Sequence, residues 1–197
     1  MMNFLRAAAM ALLMLPATGS AQDYQTGLEA AQRGDYSKAL QEWQPLAEQG
    51  VAAAQYSLGF LYYEGQGVVQ DYAEAARWYR LAAEQGIPVA QFNLGLMYDM
   101  GYGVSQNDAL AIHWYRMAAE QGNTGAQFNL AVIYSFAKGA LQDNVASHMW
   151  FNIAAANGHE LASEGRSMVE GRMNREQISE AQRRARSCME TGYQDCD

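Results

Sequence analysis

A chain of 197 residues, half of them hydrophobic and only three of them proline, is long enough to bury a sizeable core and too apolar to stay disordered. Thirteen basic residues stand against 21 acidic ones, a formal net charge of −8, and this argues against a nucleic-acid partner, which requires a basic surface.

The first element reads as a leader. Arg6 is the only charged residue before Asp23. An apolar run from Ala7 to Leu15 follows it, and then the small residues Ala17-Thr18-Gly19-Ser20-Ala21. A basic start, a short apolar stretch and small residues at a cut site describe a secretory signal peptide over residues 1–21, cleaved after about Ala21. The alternative is a buried first helix. The apolar run falls short of the roughly 20 residues of a membrane span, so no integral membrane segment is expected. Such a leader sends the protein to the periplasm or outside the cell. Residues 22–34 are expected to form a leading helix.

Beyond residue 34 the chain repeats itself every 36 residues. Asp35, Asp71, Asn107 and Asp143 share one register, Gly50, Gly86, Gly122 and Gly158 a second, and Ala54, Ala90, Ala126 and Ala162 a third. Residues 71–106 and 107–142 are identical at 18 of 36 positions. A fixed period of this length signals stacked supersecondary units, here an array over residues 35–165.

Each period reads as two helices. Asp71 is a helix N-cap, and Glu74 three residues on suggests a capping box. Ala75, Trp78, Tyr79, Ala82 and Ala83 recur at helical spacing up to Gly86, which closes the helix in the left-handed conformation. Pro88 suits the first turn of a second helix, which runs to about Met100 with Ala90, Leu94, Gly95 and Tyr98 as its packing stripe. The Gly101-Tyr102-Gly103-Val104 stretch then breaks the chain. Small residues let neighbouring helices approach, and Trp78 and Tyr79 fill the space opposite. Pro45 sits where Leu81, Met117 and Ile153 stand in later periods, and predicts either a kink or a helix in two pieces.

The array decays toward residues 166–197. Leu58, Leu94 and Leu130 are followed in register by Arg166, and Ala137 replaces the first loop glycine. Met173 to Arg186 reads as a capping helix with Asn174 as N-cap and an apolar stripe of Ile178, Ala181 and Ala185. Its arginines read as a solvated face. Cys188 and Cys196, close together in an exported chain, are expected to form a disulfide that closes a short loop and stabilises by roughly 2–3 kcal/mol. About nine or ten helices and no sheet follow from this pattern.

Chemistry is hard to find. His113, His148 and His159 are too far apart for a helical metal pair, so no metal and no cofactor are expected. Ser135-Phe136-Ala137-Lys138 matches the Ser-x-x-Lys of penicillin-interacting enzymes, but the companion motifs Ser-Asp-Asn and Lys-Thr-Gly are missing. The Gly-x-Gly pairs lack the strand of a nucleotide-binding loop and read as repeat turns.

The blocks Ala90-Gln91-Phe92-Asn93-Leu94-Gly95-Leu96-Met97-Tyr98, Gly101-x-Gly103-Val104 and Ala75-x-x-Trp78-Tyr79-x-x-Ala82-Ala83-Glu84-Gln85-Gly86 resemble the Sel-one-like repeat, a relative of the tetratricopeptide repeat. Before the array, Gly27-x-x-Ala30-Ala31-x-Arg33-Gly34-Asp35-Tyr36 looks more like a junction between two tetratricopeptide units. The resemblance implies an all-α fold, a right-handed α-solenoid of stacked two-helix repeats, and a non-catalytic role in binding a protein or peptide. By the same comparison the second helix of each unit lines the concave face. The groove positions are then Tyr56, Phe92 and Phe128, next Phe60, Leu96 and Val132, and at the helix ends Tyr63, Asp99 and Ser135 with Glu64, Met100 and Phe136. Tyr56, Phe92 and Phe128 read equally well as packing against the next repeat. A cell-wall or penicillin-interacting hydrolase is the alternative function.

Overall fold

The computed structural model describes residues 18–136, 142–193 and 196. Most of the expected leader, together with Ala137 and Lys138, lies outside them. The described residues hold ten helices and no strand. In chain order these are α1 (Thr18–Gln32), α2 (Tyr36–Glu48), α3 (Ala52–Glu64), α4 (Tyr72–Glu84), α5 (Pro88–Met100), α6 (Asp108–Ala119), α7 (Thr124–Phe136), α8 (Asn144–Ala156), α9 (Ala162–Glu170) and α10 (Arg175–Glu190). The fold is an all-α solenoid of repeats. It divides between Gln106 and Asn107 into two compact units. In the first, α1 packs on α2, α2 on α3, α3 on α4 and α4 on α5. In the second, α6 packs on α7 and α7 on α8, and both α9 and α10 pack on α8.

Local chemistry sets the helix ends. Asp35, Asp71, Asn107 and Asp143 each accept a backbone N–H of the following first turn through their side chains. These contacts satisfy donors that the helix itself leaves unpaired. Asp71 takes the N–H groups of both Ala73 and Glu74 at 2.9 and 3.0 Å. The Glu74 carboxylate pairs with Arg77 at 2.9 Å. The reciprocal capping box forms at α10, where Asn174 and Gln177 exchange hydrogen bonds at 2.9 and 3.0 Å. Pro88 occupies the first turn of α5, where its missing N–H costs nothing.

Pro45 does not split its helix. It lies inside the continuous α2, one turn from the end, and is exposed. The carbonyl it deprives of a donor belongs to Gln41, which is also exposed, so water can replace the lost bond.

Two glycine positions are forced by packing. A Cβ on Gly59 would lie 2.6 Å from the Tyr79 ring, so the bare backbone of α3 seats the buried aromatic of α4. Gly67, at φ 73°, brings its loop so close to the start of α2 that a Cβ would sit 2.8 Å from the backbone of Tyr36. Gly103 makes the equivalent approach to Tyr72 at the start of α4. Each Gly-x-Gly loop therefore docks on a helix N-terminus one period earlier.

Buried glutamines tie the helices of a period together. Gln55, Gln91 and Gln127 each donate from Nε2 to a carbonyl at the end of the preceding helix, those of Ala47, Ala83 and Ala119, at 3.1 Å in all three cases. A buried side-chain amide needs partners of this kind to offset its desolvation. Gln85 extends the link by donating to Gln55 at 2.7 Å, and Asn157 donates to Gln127 at 2.9 Å.

Candidate functional site

In the first unit the two helices of each period turn different chemistry outward. The residues of α4 that reach solvent are Ala73, Arg77, Arg80 and Glu84, with Tyr72, Glu74 and Leu81 half-buried. Those of α3 and α5 are largely apolar or aromatic: Phe60, Tyr62 and Tyr63, then Val89, Phe92 and Leu96, all half-buried, and Met100, which is 52 % exposed. Glu64 is exposed and Asp99 half-buried among them. The outward sides of α3 and α5 thus carry partly exposed apolar groups where solubility alone favours polar ones.

Of the two readings open for Tyr56 the buried one holds, and the groove position given to Ser135 is corrected. Tyr56 is 4 % exposed and belongs to the core. Its ring lies 5.8 Å from that of Tyr79, and burial drives its hydroxyl far up the alkaline range, with Tyr24 adding to the effect and a hydrogen bond from Asn93 opposing it. Ser135 is 1 % exposed, although it falls in the last turn of α7. The helix turns it inward, and Arg172 donates to its carbonyl and hydroxyl oxygens at 3.4 Å.

The remaining predicted positions divide by unit. In the first unit Tyr63 joins a run of aromatic rings. Its ring meets Tyr72 edge-on at 5.2 Å, Tyr72 stacks on Tyr102 at 5.1 Å, and Tyr79 lies on the buried side at 6.5 Å. Burial raises the Tyr63 hydroxyl above its ordinary value, and the neighbouring Tyr72, Tyr102 and Glu64 raise it further. In the second unit Phe128 is half-buried, edge-on to Phe151 at 5.5 Å and stacked flat on His159 at 4.1 Å. Much of its surface is therefore satisfied within the fold. Val132 is half-buried, and Phe136 is 59 % exposed with the Arg172 guanidinium 5.5 Å from its ring.

Several contributors escaped sequence reasoning although the period marks them. Gln70, Gln106 and Gln142 recur at 36 residues, and each donates to a carbonyl in the last turn of the preceding helix: Tyr63, Asp99 and Ser135, at 2.8, 2.8 and 3.4 Å. These caps hold the loop against the helix end that carries the predicted groove residues. Arg80 donates to the Tyr98 hydroxyl at 2.6 Å, and Arg116 to Tyr134 at 2.7 Å in the next period. His148 breaks the pattern. It stands in register with Ala76 and Ile112, is fully buried, and meets Glu170 of α9 at 2.8 Å. Among the described residues no three His, Cys, Asp or Glu side chains are grouped to hold a metal, and no helix is long and apolar enough to cross a membrane.

The Cys188–Cys196 disulfide is formed, with Cα atoms 4.6 Å apart and both residues buried. Tyr193, inside the loop it closes, hydrogen-bonds Asn157 at the end of α8 at 3.0 Å. The tail is thereby pinned to α8. Glu180 on α10 is held below the usual carboxylate range by hydrogen bonds from Arg184 and Arg183.

The Sel1 repeat profile matches residues 52–87, 88–123 and 124–159. Each matched repeat begins at the second helix of a period as read from the sequence and ends after the first helix of the next. The chain is similar to the crystal structure of a Sel1 repeat protein from Oxalobacter formigenes, at 34 % identity and a TM-score of 0.67, over 74 % of this chain and 58 % of that one. It is also similar to c5321, a protective antigen of uropathogenic Escherichia coli strains displaying an SLR fold, at 27 % identity and a TM-score of 0.60, over 88 % of this chain and 47 % of that one. The chain thus spans about half the length of these two structures. No curated protein matches it.

Proposed function

Since the chain belongs to the Sel1 repeat family, whose members generally serve as non-catalytic protein-interaction modules, we propose that it binds a protein or peptide partner through the outward sides of α3 and α5. Phe60, Tyr63, Glu64, Phe92, Leu96, Asp99 and Met100 belong to this surface. Val132 and Phe136, with the outer edge of Phe128, form its counterpart on α7 in the second unit. The observation that carries the proposal is the asymmetry between the helices: the exposed residues of α4 are mostly charged, whereas most of the partly exposed residues of α3 and α5 are apolar or aromatic. Large side chains at the centre of an interface commonly carry most of its binding energy.

The site of action is the bacterial envelope, where the protein serves as an adaptor for a signalling or envelope-assembly protein. The leader pattern of residues 1–21 supports export, and the Cys188–Cys196 bond is compatible with an oxidising compartment.

A photo-crosslinking amino acid placed at Leu96 tests the proposal. Expressed in cells, that variant should yield discrete adducts with one or a few proteins, and the same group at Arg77 on α4 should not. Equal adducts at both positions, or none at Leu96, would count against the face.

A further inference from the structure

Tyr63, Tyr72 and Tyr102 form an unbroken aromatic edge along the first unit, and Tyr102 is 40 % exposed at its outer end. Met100, two residues before Tyr102, adds an exposed apolar side chain. Helices α3 and α5 both end at this edge, and neither carries a basic residue in its last turn. Glu64, the last residue of α3, adds an exposed carboxylate at this edge. The arginines of α4 are engaged elsewhere: Arg77 with Glu74 and the Trp78 ring, Arg80 with Tyr98.

We propose, building on the binding role above, that this edge receives a positively charged side chain, and that the partner segment is a basic one in which Lys or Arg alternates with apolar residues. The physics selects this occupant over the others. A cation over a tyrosine face is attracted by the ring quadrupole, and Glu64, next to Tyr63 at the end of α3, carries the opposite charge. An acidic or phosphorylated segment meets Glu64, which carries the same sign of charge. A neutral apolar segment covers Glu64 without offering it a partner, which is costly. Met100 provides the contact for the aliphatic stem of the incoming side chain.

The full chain can be titrated with two fluorescent peptides, one alternating Arg and Leu and the other alternating Ser and Leu, and followed by fluorescence anisotropy. The Arg peptide should bind, and more tightly than the Ser peptide. Glu64→Gln and Tyr102→Leu should each weaken it about threefold to tenfold, the leucine keeping apolar bulk but losing the π face. Glu84→Gln, the same charge change on α4, should have little effect. Equal loss from Glu84→Gln overturns the inference, because attraction to a net-negative protein then explains the binding. No binding of the Arg peptide also overturns it. Equal binding of both peptides, with discrete adducts still forming at Leu96, rejects the cation while leaving the binding face standing. Failure of the Leu96 adducts as well removes the face itself.

Discussion

Replacing Gly59 with Ala sets two known effects against each other. In the interior of α3 the exchange should favour the helix by up to about 1 kcal/mol, because glycine loses more backbone freedom on folding. The new methyl group, however, would lie 2.6 Å from Cδ1 and 2.7 Å from Cε1 of Tyr79, a ring only 1 % exposed and hemmed by Tyr56. Neither helix can shift without disturbing its neighbours, and overpacking of this kind costs roughly 1–3 kcal/mol. The net effect is a loss of up to about 2 kcal/mol, and each kcal/mol lowers Tm by roughly 4–8 °C for a unit of this size. Thermal unfolding followed by far-UV circular dichroism measures it. A second arm isolates the cause: in a Tyr79→Ala background the ring is gone, so Gly59→Ala should become neutral or stabilising. A rise in Tm in the otherwise natural chain, or the same loss in both backgrounds, would refute a steric origin.

Three further outcomes are expected. Burial pushes the Tyr24 hydroxyl up to about 12 despite its 3.0 Å hydrogen bond with Ser57; the unfolded chain therefore ionises first, and the stabilisation, of order 2–3 kcal/mol, is present below about pH 10 and lost as pH rises toward 12. Alkaline unfolding compared with Tyr24→Phe measures this, and identical pH dependence in the two proteins would contradict it. Replacing Cys188 and Cys196 with Ser should loosen the tail, seen as faster hydrogen exchange around Tyr193, and lower the main Tm by less than about 10 °C; a larger drop would make the tail integral to the core of the second unit. A fluorescent penicillin should not label the protein, and covalent labelling lost in Ser135→Ala would favour the hydrolase alternative.

The sequence by itself determined the period, the helices and their ends, because those depend on groups a few residues apart. An Asp or Asn side chain reaches the N–H groups of its own first turn, and a glycine takes the left-handed conformation wherever it stands, so Asp71, Pro88 and Gly86 acted as their types require. The disulfide was legible for the same reason, its cysteines being eight residues apart. The split of the array after Gln106 left no such mark, since Gly101 and Gly103 repeat the pattern of Gly65 and Gly67. Which large side chains are core and which face outward was decided only by the tertiary structure. Tyr56, Phe92 and Phe128 share one register, yet the first is buried beside Tyr79, the second is half-buried, and the third lies flat on His159. Ser135 and Phe136 are adjacent in sequence, and the turn of one helix buries the first and exposes the second. Exposure at a repeated position is set by what the neighbouring repeat places against it, and here the neighbours differ: Tyr79 beside Tyr56, Phe151 and His159 beside Phe128.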